Sequence, residues 1–74
     1  MTRLPVCSGA EAIRAFARAG WIEDRRRGSH VTLIKPGTIA ILTVPLPDEL
    51  DRGTLRTLIR RAGLTVDEFS GLLP

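Results

Sequence analysis

One stretch of the chain places a side chain that transfers protons directly after a cationic turn. Three consecutive arginines at residues 25–27 are followed by Gly28, Ser29 and His30, and His30 is the only histidine in the sequence. Imidazole titrates close to neutral pH, so it can accept or donate a proton under physiological conditions. Guanidinium groups match the geometry of phosphate oxygens. The stretch therefore predicts proton transfer beside a bound phosphate.

The residue types of the chain give little support to other kinds of catalytic site. The chain has one cysteine, Cys7, and one histidine, and it has no phosphate-binding glycine loop and no Cys-x-x-Cys pair. Glu23 and Asp24 are neighbours on a predicted strand, so they point to opposite sides and make a poor general acid and base pair. We expect no metal site and no cofactor.

The distribution of charge favours a nucleic-acid partner. The chain carries 11 Lys and Arg residues against 8 Asp and Glu, with a formal net charge of +3, and the basic residues concentrate between residues 25 and 61. It has two Phe, one Trp and no Tyr, so it lacks the stacking platforms of single-strand binders. RNA contact is expected through phosphate and shape, at Arg25, Arg26, Arg27, Gly28, Ser29, Lys35, Arg56 and Arg60. The alternative is that these arginines are exposed to solvent, in a turn and on the outer face of a helix, and bind no phosphate.

Three helices are predicted from caps and apolar spacing. A capping box at residues 8–11 opens a helix over about residues 9–19, with Gly20 as its stop. Leu55, Leu58, Ile59 and Ala62 form the apolar stripe of a second helix that ends at Gly63. A second capping box at residues 65–68 opens a short helix that runs through residues 69–73.

Three strands lie between the first two helices. A short strand over residues 21–25 is interrupted at residues 27–28, and a β-rich run follows at residues 29–35. In that run Val31 and Leu33 share one face, whereas His30, Thr32 and Ile34 share the other. Residues 35–38 have the order of a type II turn, so residues 39–44 should return antiparallel as a strand that is apolar on both faces, ended by Pro45 and Pro47.

These elements predict one α+β domain over residues 1–74. Both helices would pack on one face of a three-stranded antiparallel sheet, in the order α-β-β-β-α with a short C-terminal helix, which is the topology of double-stranded RNA-binding domains. No apolar stretch approaches the roughly 20 residues of a membrane span. The single Cys7 excludes an intrachain disulfide and favours a reducing compartment. We expect a cytoplasmic protein without a membrane partner.

The ordered set of motifs resembles the HicA-type toxins of prokaryotic toxin–antitoxin pairs. The motifs are Ala19-Gly20-Trp21, Gly28-Ser29-His30 after the basic turn, Val44-Pro45 after the hairpin, Gly53-Thr54-Leu55, Ala62-Gly63-Leu64 and Glu68-Phe69. The resemblance implies a double-stranded-RNA-binding-domain-like fold that acts as an mRNA interferase until a HicB-type antitoxin masks it. It also implies that His30 is the catalytic residue and that Gly28 belongs to the same motif. Many relatives carry a second histidine where this chain has Leu46 and Pro47.

The function that we expect from this resemblance is metal-independent endoribonuclease activity on mRNA with one catalytic histidine. RNA supplies its own nucleophile, the 2′-hydroxyl, so His30 would take its proton while Arg27 and nearby backbone amides stabilise the phosphate charge. Two alternatives stay open: a non-catalytic double-stranded RNA-binding module, and a protein-interaction domain that docks through residues 39–44. A homodimer or a hetero-oligomer with the antitoxin also stays open.

Overall fold

The element order along the chain is α-β-β-β-α-α in the computed structural model, which describes residues 3–46 and 48–74. The elements are α1 (Gly9–Arg18), β1 (Ile22–Arg27), β2 (His30–Ile34), β3 (Leu42–Pro45), α2 (Arg52–Arg61) and α3 (Val66–Leu72). The strands form one antiparallel sheet in the order β1-β2-β3. The predicted α+β class and the order of its elements are confirmed.

Each helix begins at the residue whose side chain can satisfy its free amides. The Ser8 hydroxyl accepts a hydrogen bond from the Glu11 amide at 3.1 Å, and the Glu11 carboxylate accepts one from the Ser8 amide at 2.9 Å. Thr65 and Glu68 make the same reciprocal pair at α3. Asp51 caps α2 through its carboxylate. Both predicted capping boxes are confirmed, and each fixes a helix start at a defined residue.

The first two strands are joined by a turn of two residues. Arg27 and His30 are Cα partners, so Gly28 and Ser29 form the whole connection. Gly28 has φ +57°, and no described residue other than glycine has a positive φ. A two-residue hairpin with positive φ only at its first position is a type II′ turn, for which glycine is the favoured residue. A turn after the first strand is predicted correctly, but its position is one residue off: β1 continues to Arg27, so the turn lies at residues 28–29 and not at 27–28.

The third strand begins later than the sequence predicts. The turn at residues 35–38 forms, with Gly37 at φ +87° and the Thr38 amide donating to the Lys35 carbonyl at 3.2 Å. The Thr38 hydroxyl then accepts from the Ala40 amide at 3.3 Å, a local bond that competes with strand pairing. Pairing therefore starts at Leu42, and Ile39 is 99% exposed. The prediction of a strand from residue 39 is wrong, and Pro47 lies outside the described residues.

Helices cover one face of the sheet. The covered face consists of Val31, Leu33, Leu42 and Val44, all fully or almost fully buried. Helices α1 and α2 both contact β3, and α1 contacts α3, where the rings of Phe16 and Phe69 pack with centroids 5.0 Å apart. Trp21 is also buried, as its apolar character predicts. The packing leaves the other face of all three strands in contact with solvent.

Candidate active site

The solvent-facing side of the sheet collects the polar residues of the hairpin. Cross-strand partners in an antiparallel sheet project to the same face, and successive residues alternate. The register pairs Arg27 with His30, and His30 with Pro45; it also pairs Arg25 with Thr32, Thr32 with Thr43, and Ile22 with Ile34. We call these eight residues the open face. The row beside the turn holds Arg27, His30 and Pro45, and the next row holds Arg25, Thr32 and Thr43. The far row holds Ile22 and Ile34 and is apolar.

His30 stands at the edge of the open face that adjoins the type II′ turn. It is the first residue of β2, it is exposed, and its neighbours across the sheet are Arg27 and Pro45. Its ring makes no hydrogen bond to another described residue, so both ring nitrogens are available to a molecule lying on the sheet. The predicted position of His30 on the polar strand face is confirmed. An imidazole placed in this way can reach a substrate too large to enter a pocket.

The backbone that carries His30 is tied to the rest of the fold on two sides. The Leu46 amide donates to the Ser29 carbonyl at 2.6 Å, which fastens the turn to the end of β3. Gly9 packs so closely against the Pro45 carbonyl that a Cβ at this position would collide with it. The Gly9 amide also donates to the Asp48 carbonyl at 3.2 Å. The start of α1 thereby supports the strand end that pairs with His30.

The three consecutive arginines do not share one environment. Arg25 lies on the open face, and its Nε is 3.4 Å from Asp24 Oδ2. Arg26 is the partner of buried Val31, so it projects toward the covered side at the sheet edge, where it lies 3.6 Å from Glu23. Arg27 lies on the open face opposite His30 and takes part in no ion pair with a described residue. Of the three, Arg27 is the one best placed to bind a phosphate at His30.

A shallow groove adjoins the open face along β3. It encloses about 540 Å³ and is lined by Thr43, Asp51, Gly53, Thr54, Thr57, Leu58 and Arg61. Thr43 belongs to both surfaces, because it lies on the open face and also forms one wall of the groove. The RNA contacts predicted from the sequence include none of these residues. The spacing of Thr54, Thr57 and Arg61 at i, i+3 and i+7 was the available signal, since it marks one face of a helix.

The remaining predicted contacts lie away from the turn. Lys35 follows β2 at the end opposite His30, and its aliphatic stem packs beside Gly20. Arg56 and Arg60 are exposed on α2, one turn apart. At 100° per residue, Arg60 lies about 90° and Arg56 about 130° around the α2 axis from the mean direction of the groove-lining residues. The structure brings Arg25, Arg27, Gly28 and Ser29 to His30, and it places Lys35, Arg56 and Arg60 elsewhere.

Comparison with protein families matches residues 9–64 to the model of the HicA toxin of bacterial toxin–antitoxin systems. The match covers well over half of the chain. The chain belongs to the HicA toxin family. None of the curated proteins compared with the chain matches it. Family membership makes this protein the toxin of a toxin–antitoxin pair, with a HicB-type antitoxin as its partner.

Three further observations concern the side chains and helices of this HicA toxin. The Cys7 thiol is buried, and burial, followed by the nearby charges of Glu11 and Glu49, raises its pKa, which keeps the thiol protonated and unreactive. Within residues 3–46 and 48–74, no group of three or more His, Cys, Asp or Glu side chains could hold a metal ion. In the same residues no helix has the length and apolar character needed to span a bilayer. Of the His30 and Cys7 side chains, the exposed His30 is the one that a substrate can reach.

Proposed function

We propose that this HicA toxin is a metal-independent endoribonuclease that cleaves mRNA in the cytoplasm, with His30 as its catalytic residue. The observation that carries the proposal is the pairing of exposed His30 with Arg27 on the open face, directly after the type II′ turn. Family membership supports the proposal, because a toxin needs a damaging activity that its antitoxin can silence. An open surface suits a long polymer that brings its own nucleophile.

The proposed reaction is a transesterification that releases the downstream RNA fragment with a 5′-hydroxyl end. A neutral His30 nitrogen accepts the proton of the RNA 2′-hydroxyl, and the 2′-oxygen attacks the adjacent phosphorus. The bond between phosphorus and the 5′-oxygen breaks, leaving a 2′,3′-cyclic phosphate and a 5′-hydroxyl. The proton for the leaving oxygen returns from the His30 imidazolium or from water. General base catalysis of this kind contributes about 10² to 10⁴ in rate.

Stabilisation of the negative charge that develops at the phosphate is the second requirement of the reaction. Arg27 stabilises the negative charge that develops on the non-bridging oxygens, and Arg25 adds a second cation on the same face. Backbone amides at Gly28 and Ser29 lie at the tip of the turn beside these side chains. The binding set proposed near the reaction is Arg25, Arg27, Gly28 and Ser29, while Lys35, Arg56 and Arg60 are proposed only as weaker, distant contributors to the basic field.

The decisive experiment compares purified wild-type protein with His30→Ala on a defined RNA. We expect His30→Ala to lower cleavage by at least about 100-fold while RNA binding and the circular dichroism spectrum stay close to wild type. Thr32→Ala is the matched control, because Thr32 lies on the same face of the same strand. Full cleavage by His30→Ala would overturn the assignment. Unchanged RNA binding with no cleavage by either protein would favour the non-catalytic RNA-binding module.

Product chemistry and chelation test the proposed route. Mass spectrometry of the cleaved RNA should find 2′,3′-cyclic phosphate ends, as attack by the 2′-hydroxyl requires. Cleavage should also persist in EDTA, because the proposed base and cations are side chains of the protein. Loss of cleavage in EDTA with recovery on adding a divalent cation would indicate a metal-assisted reaction instead.

A further inference from the structure

We propose that the groove between β3 and α2 binds the RNA backbone next to the scissile phosphate. Arg61 holds a neighbouring phosphate there, and the hydroxyls of Thr43, Thr54 and Thr57 contact phosphate or ribose oxygens. This inference rests on the proposed function, since it names a second part of the same substrate path.

The groove is continuous with the surface that carries His30. His30 pairs with Pro45, and Thr43 lies two residues before Pro45 on the same face of β3. Two residues along a strand span about 7 Å and neighbouring strands lie about 5 Å apart, so the Cα atoms of His30 and Thr43 are about 8 Å apart. A strand of RNA that leaves His30 across β3 therefore meets the groove at Thr43.

The lining of the groove suits a phosphodiester backbone. Arg61 takes part in no ion pair with a described residue, so its guanidinium is available to an anion. Three threonines line the groove beside it, and a threonine hydroxyl can both donate and accept a hydrogen bond. The volume of about 540 Å³ lies within the range of clefts that bind small molecules. These groups recognise sugar and phosphate, which every RNA sequence presents.

Charge sets the end of the groove at which a phosphate can sit. The Asp51 carboxylate accepts from the amides of Gly53 and Thr54 at 3.0 and 3.3 Å, so two of the first amides of α2 are already occupied. A neighbouring hollow, lined in part by Asp48, Glu49 and Asp51, repels phosphate. Arg61 lies ten residues further along the chain, about 15 Å along the helix axis. The phosphate therefore belongs at the C-terminal end of α2.

The helix itself supplies matched controls. Arg56, Arg60 and Arg61 are exposed arginines of one helix, but Arg61 alone of the three lines the groove. A generic basic field would give the three residues similar effects on RNA binding. If the groove is a specific binding site, substitution of Arg61 should weaken RNA binding more than substitution of Arg56 or Arg60.

The experiment measures binding of a short fluorescein-labelled RNA by anisotropy, with each variant made in the His30→Ala protein so that no RNA is cut. We expect Arg61→Gln to weaken binding by about tenfold, and Arg56→Gln and Arg60→Gln by less than about twofold. Thr57→Ala should give a smaller loss than Arg61→Gln. With His30 restored, Arg61→Gln should raise KM for RNA cleavage and leave kcat nearly unchanged.

Equal effects of all three glutamine variants would overturn the groove proposal and leave the proposed function intact. Unchanged RNA affinity in Arg61→Gln, together with weaker capture by the antitoxin, would also overturn it, because the groove would then belong to a protein interface. If the wild-type protein binds RNA through Arg61 but never cleaves it, the groove stands and the proposed endoribonuclease activity fails.

Discussion

The two faces of the sheet are built from alternating residues of the same strands, yet they differ in polarity and in exposure to solvent. The covered face is apolar and buried, with Leu33 1% exposed, and it contacts the helices. The open face carries Arg25, Arg27, His30 and two threonines, and none of them is needed to fill the core. Under the proposed function, the two-residue period of a strand separates stability from chemistry in this small domain. Substitutions on the two faces should therefore affect different measurements.

The largest contrast is expected between Leu33 and Ile34, which are adjacent aliphatic residues on opposite faces. Leu33→Ala should lower the free energy of unfolding by about 2 to 5 kcal/mol, because it opens a cavity in the core. Ile34 is 38% exposed, so Ile34→Ala should cost less than about 1 kcal/mol. Urea denaturation of both variants measures the difference.

Leu33→Ala could unfold so small a domain altogether, so the milder Leu33→Val supplies a second measurement. It should still destabilise the protein more than Ile34→Val does. Equal losses at the two positions would mean that something in solution covers the open face as completely as the helices cover the other.

The second contrast lies within the arginine run. Arg27→Gln should lower kcat/KM for RNA cleavage by about 100-fold, the size expected on losing one charge-stabilising donor in the transition state. Arg26 projects to the other side and lies near Glu23, so Arg26→Gln should change kcat/KM by less than about twofold. Steady-state cleavage of the same RNA by both variants checks this prediction. Similar losses of kcat/KM in the two variants would show that RNA cleavage does not depend on the face on which an arginine lies.

The arginine run also shows how far the sequence alone could go. The capping boxes, the glycine stops and the alternation of residues 30–34 are local signals, and the helices and strands that they predict are confirmed. Arg25, Arg26 and Arg27 are identical in type, so only the register and the irregularity between Glu23 and Arg25 separate them. That irregularity shifts every later residue of β1 to the other face, and no residue in the run predicts it.

The groove and the late start of β3 escaped prediction for related reasons. Arg61 is distinguished from Arg60 by the way α2 packs against β3, which is a tertiary contact. The start of β3 depends on whether residues 39–41 pair with β2 or follow the hydrogen bond between Ala40 and Thr38. Both outcomes agree with the apolar pattern of the segment, so periodicity could not choose between them.

The third contrast tests the support beneath the open face. Gly9→Ala should destabilise the protein by about 1 to 3 kcal/mol, because the added Cβ meets the Pro45 carbonyl and the backbone must move. Gly71 is a helical glycine with open space around it, so Gly71→Ala should stabilise by about 0.4 to 1 kcal/mol. Thermal unfolding of the two variants measures the change in Tm, which should be negative for Gly9→Ala and positive for Gly71→Ala.

The Gly9 variant also connects the two faces, because Pro45 is the partner of His30. Measured at a temperature where the variant is fully folded, Gly9→Ala should still lower kcat for RNA cleavage. Wild-type kcat in a folded but destabilised Gly9→Ala protein would show that the start of α1 serves stability alone.

The smallest effect should appear in the salt dependence of RNA binding. Each cation that contacts a phosphate of single-stranded RNA contributes about 0.7 to the slope of log K against log salt. Arg27→Gln should therefore lower the magnitude of the slope by about that amount. Lys35→Gln should lower it by much less, because Lys35 follows the far end of β2 and packs beside Gly20. Anisotropy titrations at several salt concentrations in the His30→Ala background measure both slopes. A flat salt response in the parent protein would mean that the arginines of the open face contact no phosphate, and the difference between the two faces would then concern packing alone.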